Sequence, residues 1–250
     1  KVPFLMGVLA DKDADEMLQA VLPLGKRFFC LTPDNPRALT ARALAEKIRS
    51  LGGEATVCES AEDGLRQVLE TGETVVAFGS LYLAGDLRTL FPKTLKQVQR
   101  RSCLDARKAI PEAEWKEKSC AICQRLLGLE CYQKAETILA YNAFGAETDL
   151  SDFIWQAKLD GKRVCLPCCV SKTEMVALLP KDENSFRKGA FGILEPIPEA
   201  SETIPPEQID LVVCPCAGFD EHRNRIGMGA GYYDRYLPNC KHASIVAAAF

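Results

Sequence analysis

Short apolar runs alternate with amphipathic helical patterns along this chain, and this alternation limits the possible folds more than any other feature. Over residues 1–91 four apolar runs are predicted to be strands: Phe4–Leu9, Arg27–Leu31, Ala55–Cys58 and Thr74–Phe78. Apolar residues recur at helical spacing in the segments that follow them: Asp13–Leu22, Pro36–Leu51, Ala61–Thr71 and Leu83–Leu90. Such a βα rhythm predicts a parallel sheet with helices on both faces.

The rhythm is interrupted at Phe91-Pro92-Lys93, where we predict a domain boundary. Helical patterns follow over 95–134, with a break at Pro111. The later strand candidates are Thr137–Tyr141, Arg163–Leu166, Met175–Leu179, Leu211–Val213 and Ala243–Ala249, with a helix at Ser151–Leu159 and a polar, proline-bearing loop at Ser201–Gln208. We therefore expect an α/β protein of two Rossmann-like, three-layer domains with mostly parallel sheets, over residues 1–93 and 94–250.

Composition excludes several classes of protein. The 250 residues are 47% apolar and 26% charged, with a formal net charge of −3, which is typical of a globular protein. A nucleic-acid partner is disfavoured because there is no basic excess. The longest apolar runs are too short to span a bilayer, and no secretion signal is visible, so we expect a cytoplasmic protein without a membrane partner.

Twelve cysteines leave two interpretations open. Three close pairs, Cys120/Cys123, Cys165/Cys168 and Cys214/Cys216, have spacings that zinc sites also use. However, the first pair falls in a helical pattern and the others lie at predicted strands. Buried, inert thiols are therefore favoured over a metal site.

The segment Phe219–Leu237 carries the strongest chemical signal. Gly227, Gly229 and Gly231 alternate just before a predicted helix, which is where backbone N–H groups can approach a phosphate. Arg225 could bind phosphate oxygens, and Asp234 could share a Mg²⁺ ion with them. A tight surface turn would explain the glycines alone, but not the whole run.

This run resembles the signature of the 5-formyltetrahydrofolate cyclo-ligases, which reads Arg-Leu-Gly-x-Gly-x-Gly-Tyr-Tyr-Asp-x-Tyr/Phe-Leu. Only Ile226 departs from it, conservatively, and Phe219-Asp220 precede it as in the family. Further matching segments are Lys96–Arg100, Tyr141 with Glu147, and Gly192-Ile193-Leu194-Glu195-Pro196. The resemblance covers about residues 95–250 and implies a NagB/RpiA-like fold.

By this resemblance, the chain closes 5-formyltetrahydrofolate to 5,10-methenyltetrahydrofolate at the expense of ATP, with Mg²⁺. The implied roles are catalysis by Arg225 and Tyr232; ATP binding by Lys96, Arg100, Arg225, Gly227, Gly229, Gly231 and Tyr233; folate binding by Glu147, Met228 and Tyr232; and metal binding by Asp234. Without the resemblance, Lys96 and Arg100 would be read as a solvated helix face and Glu147 as an ordinary loop acid. The tyrosines could equally be core residues.

Residues 1–91 carry a second resemblance, to the C-terminal domain of folylpolyglutamate synthase. It rests on Gly7–Asp13, Thr32–Leu39 and Gly79–Leu83. The P-loop of that enzyme's ATPase domain is absent from this chain. The resemblances imply that the first domain lacks its start and the second its final strand and an acidic metal ligand. Two alternatives therefore remain: a piece of a bifunctional enzyme whose other half adds glutamate to folates, and a catalytically silent folate- or nucleotide-binding module.

Overall fold

The computed structural model describes residues 1–10, 14–189 and 194–250 and divides the chain into two compact units, residues 1–99 and 100–250. The predicted boundary at residue 93 lies six residues before this division. Part of the Gly7–Asp13 segment and Gly192-Ile193 fall outside the described residues.

The first unit contains a four-stranded sheet of order β3-β2-β1-β4 in which every pairing is parallel. Its strands are β1 Val2–Gly7, β2 Gly25–Cys30, β3 Ala55–Val57 and β4 Val76–Gly79. Its helices are α1 Ala14–Val21, α2 Ala41–Ser50, α3 Ala61–Glu70 and the beginning of α4 Leu81–Lys108. Side chains of Phe4 and Met6 pack on α1 and α2, whereas Leu5 packs on α3 and α4. The sheet therefore has helices on both faces, as the βα rhythm predicts.

The second unit contains a six-stranded sheet of order β10-β7-β6-β5-β11-β14 and two short hairpins, β8-β9 and β12-β13. Its strands are β5 Thr137–Leu139, β6 Arg163–Cys169, β7 Met175–Pro180, β8 Phe186–Lys188, β9 Leu194–Pro196, β10 Ser201–Ile204, β11 Leu211–Pro215, β12 Gly218–Phe219, β13 Arg225–Ile226 and β14 Ser244–Ala248. Its helices, besides the end of α4, are α5 Glu112–Leu127, α6 Glu130–Lys134, α7 Ser151–Leu159 and α8 Tyr232–Tyr236.

This second sheet also has a core on each face. Ile138, Val164 and Val213 pack with the helices α5, α6 and α7 on one side. On the other side Leu139 and Cys214 pack with α8 and β10. Both units are thus three-layer α/β structures whose main sheets have mostly parallel pairing, and the predicted fold class is confirmed.

Two local predictions are wrong. The break at Phe91–Lys93 is absent, because α4 continues through Pro92; buried Leu83 and Leu87 hold its first part against the sheet, and this packing outweighs the helix-breaking tendency of proline. Ser201–Ile204 forms the edge strand β10 instead of a loop. Strand β7 runs antiparallel to β6 because only five residues, 170–174, join them, too few for a parallel crossover.

All twelve cysteines lie in the described part of the chain, and all are free. Burial raises the pKa of the Cys30 and Cys165 thiols to about 12 and that of the Cys214 thiol to about 11. Among the described residues no group of three or more potential metal-ligating side chains is found. Likewise, no helix in the described ranges is long and apolar enough to cross a bilayer.

Candidate active site

A cleft of about 290 Å³ opens where the parallel strands β5, β6 and β11 end. In chain order the sheet extends from β5 through β6 to one side, and from β11 to β14 on the other. The point where such a strand order reverses is the usual ligand position in open α/β sheets. The residues that line the cleft are Arg100, Asn142, Leu166, Pro167, Cys169, Met175, Leu194, Glu195, Pro215, Arg225, Gly227–Asp234.

The glycine-rich segment predicted from the sequence forms one wall of this cleft. It leaves the β12-β13 hairpin at Ile226 and enters α8 at Tyr232. Gly229 and Gly231 have φ values of +110° and +72°, which an L side chain rarely adopts, so glycine is required at both positions.

The backbone carbonyls and the backbone N–H groups of this segment differ in their hydrogen bonding. The carbonyl of Gly227 accepts a hydrogen bond from Arg100 Nε at 2.7 Å, and that of Ala230 accepts one from Arg235 Nη2 at 2.8 Å. Within the described residues, none of the N–H groups from Gly227 to Gly231 donates to a protein acceptor. Successive unengaged N–H groups form an anion-binding surface, which agrees with the predicted phosphate contact. Because α8 has only five residues, its dipole adds little to this surface.

Arg225 lines the cleft next to the glycine-rich segment. Its Nη1 donates to Pro215 O at 3.1 Å and its Nη2 to Asp234 Oδ1 at 2.5 Å, and its Cζ lies 5.7 Å from the centre of the Tyr233 ring. The Arg225 side chain is 15% exposed, whereas Asp234 is 70% exposed. The guanidinium is thus held in place on the cleft wall, while the carboxylate remains open to solvent.

The two tyrosines of the motif have different surroundings. The Tyr232 hydroxyl donates to Ser171 O at 3.0 Å, and Arg235 lies over its ring. Among the described residues the buried Tyr233 hydroxyl has no hydrogen-bond partner, and burial raises its pKa well above the ordinary value. Both line the cleft, as does Met228, which is 46% exposed.

One predicted residue, Glu147, does not line the cleft. Glu147 is buried with 8% exposed, and its Oε2 accepts from Phe144 N at 2.9 Å. Burial raises the pKa of Glu147, and the Phe144 N–H and the Arg107 charge oppose this rise. Lys96 belongs to the first unit. The roles of both residues stay predictions.

Several cleft residues carry no functional assignment from the sequence. Asn142 donates through Nδ2 to Leu194 O at 2.7 Å, and the Glu195 carboxylate has no hydrogen-bond or ion-pair partner in the described part of the chain. Asn142 follows a parallel strand, a position that often carries ligand contacts. Arg107 does not line the cleft, but it lies seven residues after Arg100 and therefore on nearly the same face of α4. This spacing could have identified Arg107 as a residue close to the site.

Comparison with known proteins assigns this architecture. Residues 92–249 match the 5-formyltetrahydrofolate cyclo-ligase family. The chain is 29% identical to the 5-formyltetrahydrofolate cyclo-ligase of Haemophilus influenzae, over 50% of this chain and 68% of the relative. It is 28% identical to that of Escherichia coli K12, over 54% of this chain and 76% of the relative.

A solved structure, the 5,10-methenyltetrahydrofolate synthetase of Aquifex aeolicus, superposes with a TM-score of 0.56 at 29% identity, covering 62% of this chain and 78% of that one. The α/β architecture and the family match together define an enzyme of the ligase class. More particularly, the chain belongs to the 5-formyltetrahydrofolate cyclo-ligase family.

The resemblance of the first unit to folylpolyglutamate synthase stays a prediction. Escherichia coli FolC superposes over 37% of this chain with a TM-score of 0.32 and 17% identity, too little to carry an argument.

Proposed function

We propose that this chain catalyses the ATP-dependent cyclisation of 5-formyltetrahydrofolate to 5,10-methenyltetrahydrofolate, with release of ADP and phosphate. The observation that carries the proposal is the mixed lining of the cleft. Part of this lining suits a polyphosphate: the unengaged N–H groups of Gly227–Gly231 and the guanidinium groups of Arg100 and Arg225. The rest is mostly apolar, includes the Glu195 carboxylate, which has no partner among the described residues, and suits a flat, N–H-bearing heterocycle.

The reaction needs activation of a poor leaving group. In the first step the formyl oxygen attacks the γ-phosphorus of ATP; the new O–P bond forms as the bond to ADP breaks. In the second step N10 attacks the formyl carbon and loses its proton, and phosphate leaves with the formyl oxygen. The protein's part is to align the two substrates and to offset phosphoryl charge. We assign the charge to Arg100 and Arg225 and the alignment to the walls formed by Met228, Tyr232 and Tyr233.

We assign Mg²⁺ to Asp234. Magnesium in nucleotide sites keeps several waters and takes one or two carboxylates besides the phosphates. Asp234 fits this arrangement because it lines the cleft beside Arg225 and is 70% exposed. Bound there, the ion would offset phosphate charge. We expect Asp234→Ala to abolish Mg-ATP turnover and to change the free energy of unfolding by less than about 0.5 kcal/mol. Normal turnover in this variant would remove Asp234 from the metal site.

The proposed function is tested by mixing the chain with 5-formyltetrahydrofolate, ATP and Mg²⁺ and following the absorbance of the methenyl product. We expect the band to grow only when ATP is present, with one ADP released per product. A matched charge control is Arg125→Ala, since Arg125 is exposed on α5 and does not line the cleft. Binding of both substrates without product would support the silent-module alternative instead.

A further inference from the structure

Arg107, near the end of α4, is a buried charge that the proposed reaction does not use. It is 4% exposed, and among the described residues it has no carboxylate within ion-pair distance. Removing a guanidinium from water costs free energy unless its donors are bonded, and an apolar side chain of similar size is often the more stabilising choice. The buried guanidinium of Arg107 is therefore expected to have a role other than stabilising the fold.

The partners of Arg107 lie at the edge of the cleft. Its Nη2 donates to Cys216 O at 2.5 Å and to Ala217 O at 3.0 Å. The preceding carbonyl, of Pro215, accepts from Arg225 Nη1 at 3.1 Å. Two guanidinium groups therefore bind three successive carbonyls where β11 ends. Arg225 binds the Pro215 carbonyl from the cleft, and Arg107 binds the Cys216 and Ala217 carbonyls from the interior.

The Ala217 peptide, whose carbonyl Arg107 binds, is hydrogen-bonded to the strand that carries Arg225. Ala217 N donates to Ile226 O at 2.7 Å, and Gly218 pairs with Ile226 in the β12-β13 hairpin. Ile226 joins Arg225 to Gly227, so any movement of the Ala217 peptide is passed to both. We propose that Arg107 is a positioning residue of the cleft, acting through the carbonyls of Cys216 and Ala217 to hold the hairpin that presents Arg225 and the glycine-rich segment.

A second observation agrees with this role, which rests on the proposed function. Within the described ranges the buried Nε of Arg107 has no hydrogen-bond partner, and the Arg107 charge opposes the burial-induced rise of the pKa of Glu147. Tyr141, Tyr233 and Cys216 are the other titratable groups that interact with Glu147. Arg107 therefore faces both the hairpin and a buried carboxylate that the resemblance assigns to folate binding.

A positioning role and a merely structural role of Arg107 predict different effects of its removal. A positioning residue should loosen the hairpin alone, whereas a residue needed for packing should weaken the whole second unit. Backbone hydrogen exchange separates the two, because local opening and global unfolding expose different sets of amides.

The experiment compares hydrogen exchange of the ligand-free chain and its Arg107→Met, Arg107→Lys and Arg125→Met variants. We expect Arg107→Met to speed exchange at the Ala217 and Asp220 amides, which hydrogen-bond to the opposite arm of the β12-β13 hairpin, with the amides of β5 and β6 unchanged. Arg107→Lys should restore part of the protection because an ammonium can reach one carbonyl. Arg125→Met, which removes an exposed charge from α5, should match the wild type.

Turnover supplies the second readout. We expect Arg107→Met to lower kcat/KM for ATP on the order of tenfold to a hundredfold, as small displacements of catalytic groups do, with partial rescue by lysine. Faster exchange throughout 100–250, or an unchanged hairpin with lost activity, would overturn the proposal. So would a loosened hairpin with wild-type kinetics. If the wild type itself makes no product, the proposed function fails, and the exchange at the hairpin still decides whether Arg107 positions it.

Discussion

Arg225 shows how single side chains are prepared for charge in this protein. It contacts a backbone carbonyl, an aromatic ring and the Asp234 carboxylate, and it is largely shielded from water. A guanidinium held in this way does not have to be ordered when a phosphate arrives, so its contribution to catalysis is available at the moment of reaction.

Removal of Arg225 should therefore affect both binding and chemistry. We expect Arg225→Ala to raise the KM for ATP and to lower kcat, with a loss in kcat/KM of about 10²–10³, as for other preorganised donors. Steady-state kinetics with varied ATP measure both constants. The control is the exposed Arg125→Ala, and an unchanged kcat/KM in Arg225→Ala would exclude this residue from the phosphate site.

Glu147 makes stability depend on pH in an unusual direction for a carboxylate. Its pKa is raised on folding, so between the ordinary and the raised value the folded chain holds a proton that the unfolded chain has lost. The stabilising contribution of that proton is lost as the pH rises through this interval. The free energy of unfolding of Glu147→Gln, relative to wild type, should therefore increase with pH from the ordinary carboxylate pKa upward and level off above the raised pKa.

Urea titrations across this pH range measure the effect. Glutamine keeps an oxygen acceptor for the Phe144 N–H, so the folded geometry is preserved. Glu130→Gln is the matched control because the Glu130 side chain is 81% exposed. A difference between Glu147→Gln and wild type that is flat with pH would contradict the raised pKa.

At the scale of elements, the glycine-rich segment is the part whose backbone geometry is most restricted. Its three glycines are not equivalent, because only Gly229 and Gly231 have positive φ. A β-carbon at Gly227 would lie 3.2 Å from Arg225 Nη1, the end of a flexible side chain.

Because Gly229 has a positive φ and Gly227 does not, alanine should have different effects at these two positions. Gly229→Ala should distort the segment, since an L residue in this region costs about 1–2 kcal/mol, and should raise the KM for ATP. Gly227→Ala should cost less stability, because its backbone needs no positive φ and the nearby Arg225 tip has to give only slightly. Urea titrations of the two variants test this, and equal losses in the free energy of unfolding would contradict the assigned backbone geometry.

The sequence predicts elements well where local pattern and packing agree. The β1 and α2 patterns correspond to Val2–Gly7 and Ala41–Ser50, and Ser60 caps α3 by accepting from Asp63 N. It fails where tertiary packing decides, as at Pro92 within α4 and at β10, whose polar sequence gives no strand signal. Within the site, the motif locates the glycine segment, Arg225 and Asp234, but the contacts of Arg107, Asn142 and Glu195 depend on strand order, which no local pattern contains.

At the scale of the whole molecule, the chain consists of two units with separate cores, and every residue that lines the cleft belongs to the second. The families suggested for the two units are also different, and only the second is established.

Because the two units have separate cores, a destabilising substitution in one core should leave the other unit folded. Leu44 is fully buried in the first unit, and Leu44→Ala should cost about 2–5 kcal/mol there. At a temperature where the variant is folded, kcat/KM should equal that of the wild type. Phe153→Ala, equally buried in the second unit, should instead lower the temperature at which activity is lost. Calorimetry with activity assays after heating measures both, and altered KM values in Leu44→Ala would show that the cleft depends on the first core.

Most of the thiols of this protein become reactive only when the chain unfolds. Eight of its cysteines are buried, and a thiol kept protonated in the interior neither attacks nor is attacked. Once heat unfolds the chain, those sulfurs return to ordinary reactivity within reach of one another, and oxygen can crosslink them in wrong combinations. In air, denaturation then becomes a one-way process whose rate depends on how often the chain opens. For the buried thiols, oxidative loss during storage should therefore follow the unfolding rate and the reductant rather than the equilibrium stability.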